Sequence, residues 1–139
     1  MSYFLESVRV SEKAKRQLIA LKRKTGIENW NVLCRWALCL SLAEGSIPPE
    51  EDLALDSNVE MDWRTFGGKD ESLFRALMML RCSQDGLGLE KSVLATQFKL
   101  HLHRGISYLA SDKRISSIES FVDRALGHVP ETEGEHSPA

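Results

Sequence analysis

Breaker residues constrain this chain most. Gly26, Pro48-Pro49, Gly67-Gly68, Gly86-Leu87-Gly88, Gly105 and Gly127 interrupt the sequence at roughly helix-length intervals. Between them the apolar residues recur with helical spacing. The spacing predicts an all-α, compact single-domain protein of about five helices over residues 1–127. A tail at 128–139, carrying Glu131, Glu133 and Glu135, is expected to be disordered.

The first helix is expected over 12–25. Ser11 is its N-cap, Ala14, Leu18, Leu21 and Thr25 fall within about a 60° sector, and Gly26 supplies a left-handed stop. Val8-Arg9-Val10 before it reads as a short strand or extended arm. The second helix, capped by Asn29 and ending near Gly45, carries Trp30, Leu33, Cys34, Trp36, Ala37, Leu38, Leu40 and Leu42. That apolar circumference is too wide for one packing face, so the helix should be central or lie at an oligomer interface. After Pro48-Pro49 the acidic stretch to Asp62 is expected to be an exposed connector or a short irregular excursion, and residues 63–68 a structured loop. A third helix over 70–82 should present Leu73, Phe74, Leu77, Met78 and Leu80. A fourth over 89–104 aligns Leu94, Phe98 and Leu102 and stops at Gly105; a fifth over 115–126 uses Ile118, Phe121, Val122 and Ala125.

Charge is distributed unevenly. The formal net charge is only −2, yet residues 8–24 hold seven basic side chains against Glu12, and residues 44–62 hold seven acids with no lysine or arginine. On the first helix Lys15 aligns with Lys22, Arg16 with Arg23, and Lys13 with Lys24, each pair within about 20°. These three ridges suit phosphates and make Lys13, Lys15, Arg16, Lys22, Arg23 and Lys24 the candidate DNA-binding residues. The competing reading is an ordinary solvated face neutralised by the acidic connector.

Other candidate chemistry is weak. His101 and His103 stand about 200° apart on a helix and cannot share a metal, which leaves a structural role or a helix C-terminal cap that contacts phosphate. Cys34 and Cys39 flank Arg35, a cation that lowers a thiol pKa, but with Cys82 they read as small buried hydrophobes in a reducing compartment. Phe66-Gly67-Gly68-Lys69 lacks the spacing of a phosphate loop. No catalytic, cofactor or metal site is expected. The opening residues lack the pattern of a signal peptide, and no run is long enough to span a bilayer, so the expected setting is the cytoplasm.

The blocks Val10-Ser11-Glu12-Lys13-Ala14-Lys15-Arg16-Gln17-Leu18, Leu21-Lys22-Arg23-Lys24-Thr25-Gly26-Ile27 and Asn29-Trp30-Asn31-Val32-Leu33-Cys34-Arg35-Trp36-Ala37 resemble DndE proteins. So do Thr65-Phe66-Gly67-Gly68 and His101-Leu102-His103-Arg104-Gly105-Ile106-Ser107-Tyr108-Leu109. The resemblance implies an accessory part in DNA phosphorothioation, in which sulfur replaces a non-bridging phosphate oxygen. It implies a helical homo-oligomer, a tetramer, that binds duplex and especially nicked DNA through the six cations above. The implied partners are a cysteine desulfurase, an iron–sulfur sulfurtransferase-like protein and an ATPase. Two other readings stand beside it. A short strand followed by two helices is also the order of a ribbon-helix-helix regulator, which reads an operator with strand side chains, and a pure scaffold would join the enzymes without touching DNA.

Overall fold

The computed structural model describes residues 5–113 and 118–125. The chain enters as strand β1 (Ser7–Arg9) and continues into α1 (Glu12–Thr25) and α2 (Trp30–Ala43). It returns through β2 (Glu60–Asp62) into a short helix α3 (Trp63–Gly67) and a 3₁₀ turn at Gly68–Asp70. Helices α4 (Glu71–Gln84), α5 (Lys91–Ser111) and α6 (Ile118–Ala125) complete it. The expected all-α class is correct, with a two-stranded antiparallel ribbon at its edge that pairs Ser7 with Asp62 and Arg9 with Glu60. The expected tail at 128–139, the first residues of the expected fifth helix at 115–117, and Leu126 lie outside the described residues. Of the apolar face proposed for that helix, Val122 is exposed.

α1 forms as its sequence dictates. The Ser11 hydroxyl accepts the Ala14 N–H at 3.1 Å, the stripe Ala14, Leu18, Leu21 and Thr25 is buried, and Gly26 closes the helix at φ 77°. α2 is the central helix. Leu33, Cys34, Ala37 and Leu38 are fully buried, and its main partner is the long helix α5.

Four expectations need correction. The stop expected at Gly105 is absent, because α5 runs on to Ser111 and buries Gly105 inside it. A Cβ there would stand 1.8 Å from the Ala37 carbonyl oxygen. That glycine marks a helix crossing, where lack of a side chain lets two backbones meet. Residues 63–67 are helix rather than loop: Asp62 caps it, accepting the Thr65 N–H at 2.7 Å. Trp63 and Phe66 stack at 5.2 Å, and Phe98 meets both edge-on at 5.5 and 5.2 Å.

On α4 the buried face is Phe74, Met78, Arg81 and Cys82, while Leu73 and Leu80, expected in the core, are 54% and 55% exposed. Arg81 takes the space a leucine would fill, with Asp85 at 2.9 Å and the carbonyls of Leu42 and Ser46 at 2.9 and 2.6 Å satisfying its guanidinium. Finally, the acidic connector is partly structural. Its acids face solvent, but Ser57 and Val59 are buried, and the Ser57 hydroxyl donates to the Val10 carbonyl at 2.7 Å.

Candidate nucleic-acid interface

The three basic ridges of α1 have different surroundings. Taking the core stripe as inward, Lys15 and Lys22 flank it on one side by about 80°, Lys13 and Lys24 on the other by about 100°, and Arg16 and Arg23 point almost directly away. The flanking pair is engaged by the fold. Lys15 Nζ donates to Asn58 Oδ1 at 2.7 Å, and Lys22 Nζ lies 3.7 Å over the Trp30 ring. Lys13, Arg16, Arg23 and Lys24 are exposed.

Among the described residues the acidic connector forms no ion pair with this face. Asp56 accepts the backbone N–H of Glu12 at 3.0 Å, at the helix start where a carboxylate is favoured, and Glu60 pairs with Arg9 at 2.8 Å. A second ion pair joins Arg81 to Asp85, away from α1. Among the described residues no α1 cation has a carboxylate partner. The six candidate residues thus lie on one helix, four open to solvent and two held by neighbouring groups.

β1 offers little for reading bases. It is paired within the same chain, and Arg9, its one long polar side chain, is turned to the Ser57 carbonyl at 2.8 Å and to Glu60. A ribbon-helix-helix dimer would need that strand for a second copy and that side chain for a groove.

The histidines sit in mid-helix, not at a C-terminal cap, and serve different contacts. His103 Nε2 accepts the Ser11 N–H at 3.2 Å while Nδ1 faces the Lys99 carbonyl at 2.8 Å, which fixes a neutral tautomer tying α5 to the start of α1. His101 is fully buried, with Nδ1 2.8 Å from the Ser41 hydroxyl. That same hydroxyl accepts from Arg104 Nε at 2.9 Å. Burial, with the charges of Arg81 and Arg104, lowers the His101 pKa from 6.5 to about 4. Burial also lowers that of His103, against an opposing bond to Lys99.

A stability consequence follows. The unfolded chain takes up a proton on each histidine near its ordinary pKa and the folded chain only at lower pH, so the folded state is favoured above about pH 6.5 and loses ground as pH falls towards 4. Between about pH 7.5 and 5, His101 alone should remove on the order of 2 kcal/mol. Urea unfolding at the two pH values measures it; an unchanged midpoint would mean that water reaches the imidazole.

Burial raises the thiol pKa of all three cysteines. Burial pushes Cys34 up to about 12, only partly opposed by Arg35, whose guanidinium is turned to the Phe66 carbonyl at 2.9 Å. Burial raises Cys82 as well. Cys39, expected to be buried, is exposed, yet its pKa too is raised. Among the described residues no histidine, cysteine and acid cluster could hold a metal, and no helix is long and apolar enough to cross a membrane.

The sequence profile of the family described as DNA sulphur modification protein DndE matches residues 7–117. No curated protein matches. Among solved structures, the chain is similar to a crystal structure of DndE from Escherichia coli B7A, described as involved in DNA phosphorothioation modification. The two share 24% identity over 78% of this chain and 99% of that one, with a TM-score of 0.64. A crystal structure of a glycine-to-lysine DndE mutant, described as involved in DNA phosphorothioation, is 22% identical over 75% of this chain and 95% of that one, with a TM-score of 0.58.

Proposed function

The chain belongs to the DndE family of DNA sulphur modification proteins, and on that premise we propose that it is the DNA-binding accessory subunit of a phosphorothioation system, holding duplex DNA on α1 without reading its sequence. One observation carries the reading: six cations on a fourteen-residue helix, none paired with a carboxylate among the described residues. A solvated surface helix usually mixes signs so that neighbours at i and i+4 pair. Phosphates are the partners this face lacks.

Base recognition would need side chains placed in a groove, and the strand that could supply them is committed elsewhere. Sequence tolerance is the consequence. A nick lowers the cost of bending the duplex against the protein, so nicked DNA should bind more tightly than intact DNA without any base being recognised. The sulfur chemistry falls to partners: a cysteine desulfurase, a sulfurtransferase-like protein and an ATPase. No catalytic role is assigned to this chain. The setting proposed is the cytoplasm.

Self-association belongs to the same reading. α2, expected to be central or to lie at an oligomer interface, leaves Trp36 36% exposed. Leu73 and Leu80 on α4 add a larger uncovered apolar stripe. A homo-oligomer, of tetramer size, would bring several α1 helices onto one DNA and raise its hold by avidity.

Anisotropy titrations of intact and nicked duplexes of unrelated sequence, at several salt concentrations, test the proposal. With four exposed cations per chain each meeting one phosphate, log affinity should fall against log salt with a slope of roughly −3 to −4 per engaged α1. A strong preference for one sequence, or affinity that ignores salt, would overturn it.

A further inference from the structure

A groove of about 300 Å³ runs between α1, residues 48–53 and α5. We infer that it takes one unstacked nucleotide, a planar base with its phosphate, from DNA held on α1; the inference rests on the DNA-binding reading. Its volume lies at the lower end for small-molecule sites, which suits one nucleotide unit and excludes a duplex.

The charge on its walls favours an anion. Lys13 lines it from α1 and Arg104 from α5, against the single carboxylate Glu51; His103, also on the wall, has both nitrogens occupied. Arg104 is the informative residue. Its guanidinium donates to the Ser41 hydroxyl at 2.9 Å, the Ser41 carbonyl at 2.9 Å and the Ser46 hydroxyl at 3.0 Å. These three neutral acceptors fix the fork and leave two of its five N–H donors over. No carboxylate among the described residues pairs with it. A guanidinium held rigid without a counter-ion is ready for a phosphate, whose oxygens it can meet two at a time.

The groove also has a stacking surface. Tyr108, a residue 40% exposed, lines it, and the Arg104 guanidinium carbon lies 5.7 Å from its ring centroid. An aromatic ring beside a cation is what sequence-tolerant binders of unpaired bases use. On the same walls Gln17 Nε2 reaches Ser107 Oγ only at 3.5 Å, a long bond that either partner can exchange for the edge of a base. Glu51 can accept from a base's amino group. Lys13 belongs both to the groove and to the basic face of α1, so a strand following that face reaches the groove without leaving the protein.

The test compares a fully paired duplex with the same duplex carrying one unpaired, bulged nucleotide, bound to the full chain at matched salt. The wild type is expected to hold the bulged duplex about tenfold more tightly, the order that one base–aromatic stack supplies. Tyr108→Ala should lose that advantage while binding the paired duplex as before. Tyr108→Phe should keep it, and thermal melts should show both variants folded at the assay temperature. Deoxyadenosine monophosphate should compete for the bulged duplex, and inorganic phosphate at the same concentration should not. If Tyr108→Ala keeps the advantage, the groove is not the site. If the paired duplex binds but the bulge adds nothing, this inference falls while the DNA-binding reading stands; a mononucleotide that then still binds would mark a free-nucleotide site and equally overturn it. If the wild type binds neither duplex, both fall together.

Discussion

Gly105→Ala is expected to cost the fold about 3 kcal/mol or more, although the same change in an ordinary helix interior would stabilise it by roughly 0.5–1 kcal/mol. The reversal of sign is the point of the experiment. The new methyl carbon would lie 1.8 Å from the Ala37 carbonyl oxygen, 2.4 Å from its carbon and 3.0 Å from its Cα. All three are backbone atoms of α2, so no rotamer change relieves the overlap and the two central helices must separate. Ser41 lies four residues after Ala37 on α2, and His101 and Arg104 come just before Gly105 on α5. Separation at the crossing therefore strains the contacts of the Ser41 hydroxyl with His101 at 2.8 Å and with Arg104 at 2.9 Å. Each is a buried or half-buried polar contact, costly to lose without water in its place. For a domain of this size, 3 kcal/mol should lower the melting temperature by on the order of 10 °C. Circular dichroism melts of wild type and variant decide it; a variant as stable as the wild type would mean that α2 and α5 can part without loss.

That crossing shows why the sequence conveyed some of the fold and concealed the rest. α1 was legible because its three signals agree: a serine cap, one apolar stripe and a terminal glycine. Gly105 carried the opposite message. A glycine after an apolar periodic run marks a helix end when its neighbours are solvated and a close crossing when another helix passes over it, and only the partner helix distinguishes the two. Leu73 and Leu80 misled in the same way, since apolar residues around all of α4 do not say which face meets the core, and the buried face includes Arg81. The return of the chain to β1 was readable in principle. Leu53, Leu55, Ser57, Val59 and Met61 alternate with Asp56, Asn58, Glu60 and Asp62, a period-two pattern masked by its acidity, and those five alternate positions are the buried or half-buried ones. The basic helix itself was plain from charge and spacing. That two of its lysines are held by Asn58 and Trp30 was not, because both contacts come from segments whose docking no local pattern encodes.

The difference among the α1 ridges sets the largest effect expected on function. Arg16→Glu together with Arg23→Glu should weaken duplex binding by roughly a hundredfold or more at moderate salt, because each change removes a phosphate contact and puts a carboxylate against the DNA. These two side chains point away from the core stripe, lie about 10 Å apart along the helix axis, and are exposed. Reversing them should leave stability and oligomer size close to those of the wild type. Lys13→Glu with Lys24→Glu should have an effect of the same kind. Lys15→Ala and Lys22→Ala should behave differently. Their heads are occupied by Asn58 Oδ1 and the Trp30 ring, so alanine there should cost some stability and have the smaller effect on DNA. Each lost phosphate contact should also flatten the salt dependence by about 0.9 in slope. A reduced slope with unchanged melting would therefore separate a true contact from a disturbed fold. Anisotropy titrations of the folded variants against salt supply both quantities. If the Arg16 and Arg23 double reversal keeps wild-type affinity and slope, α1 is not the DNA surface, and the cationic wall formed by Arg104 and Lys13 becomes the place to look.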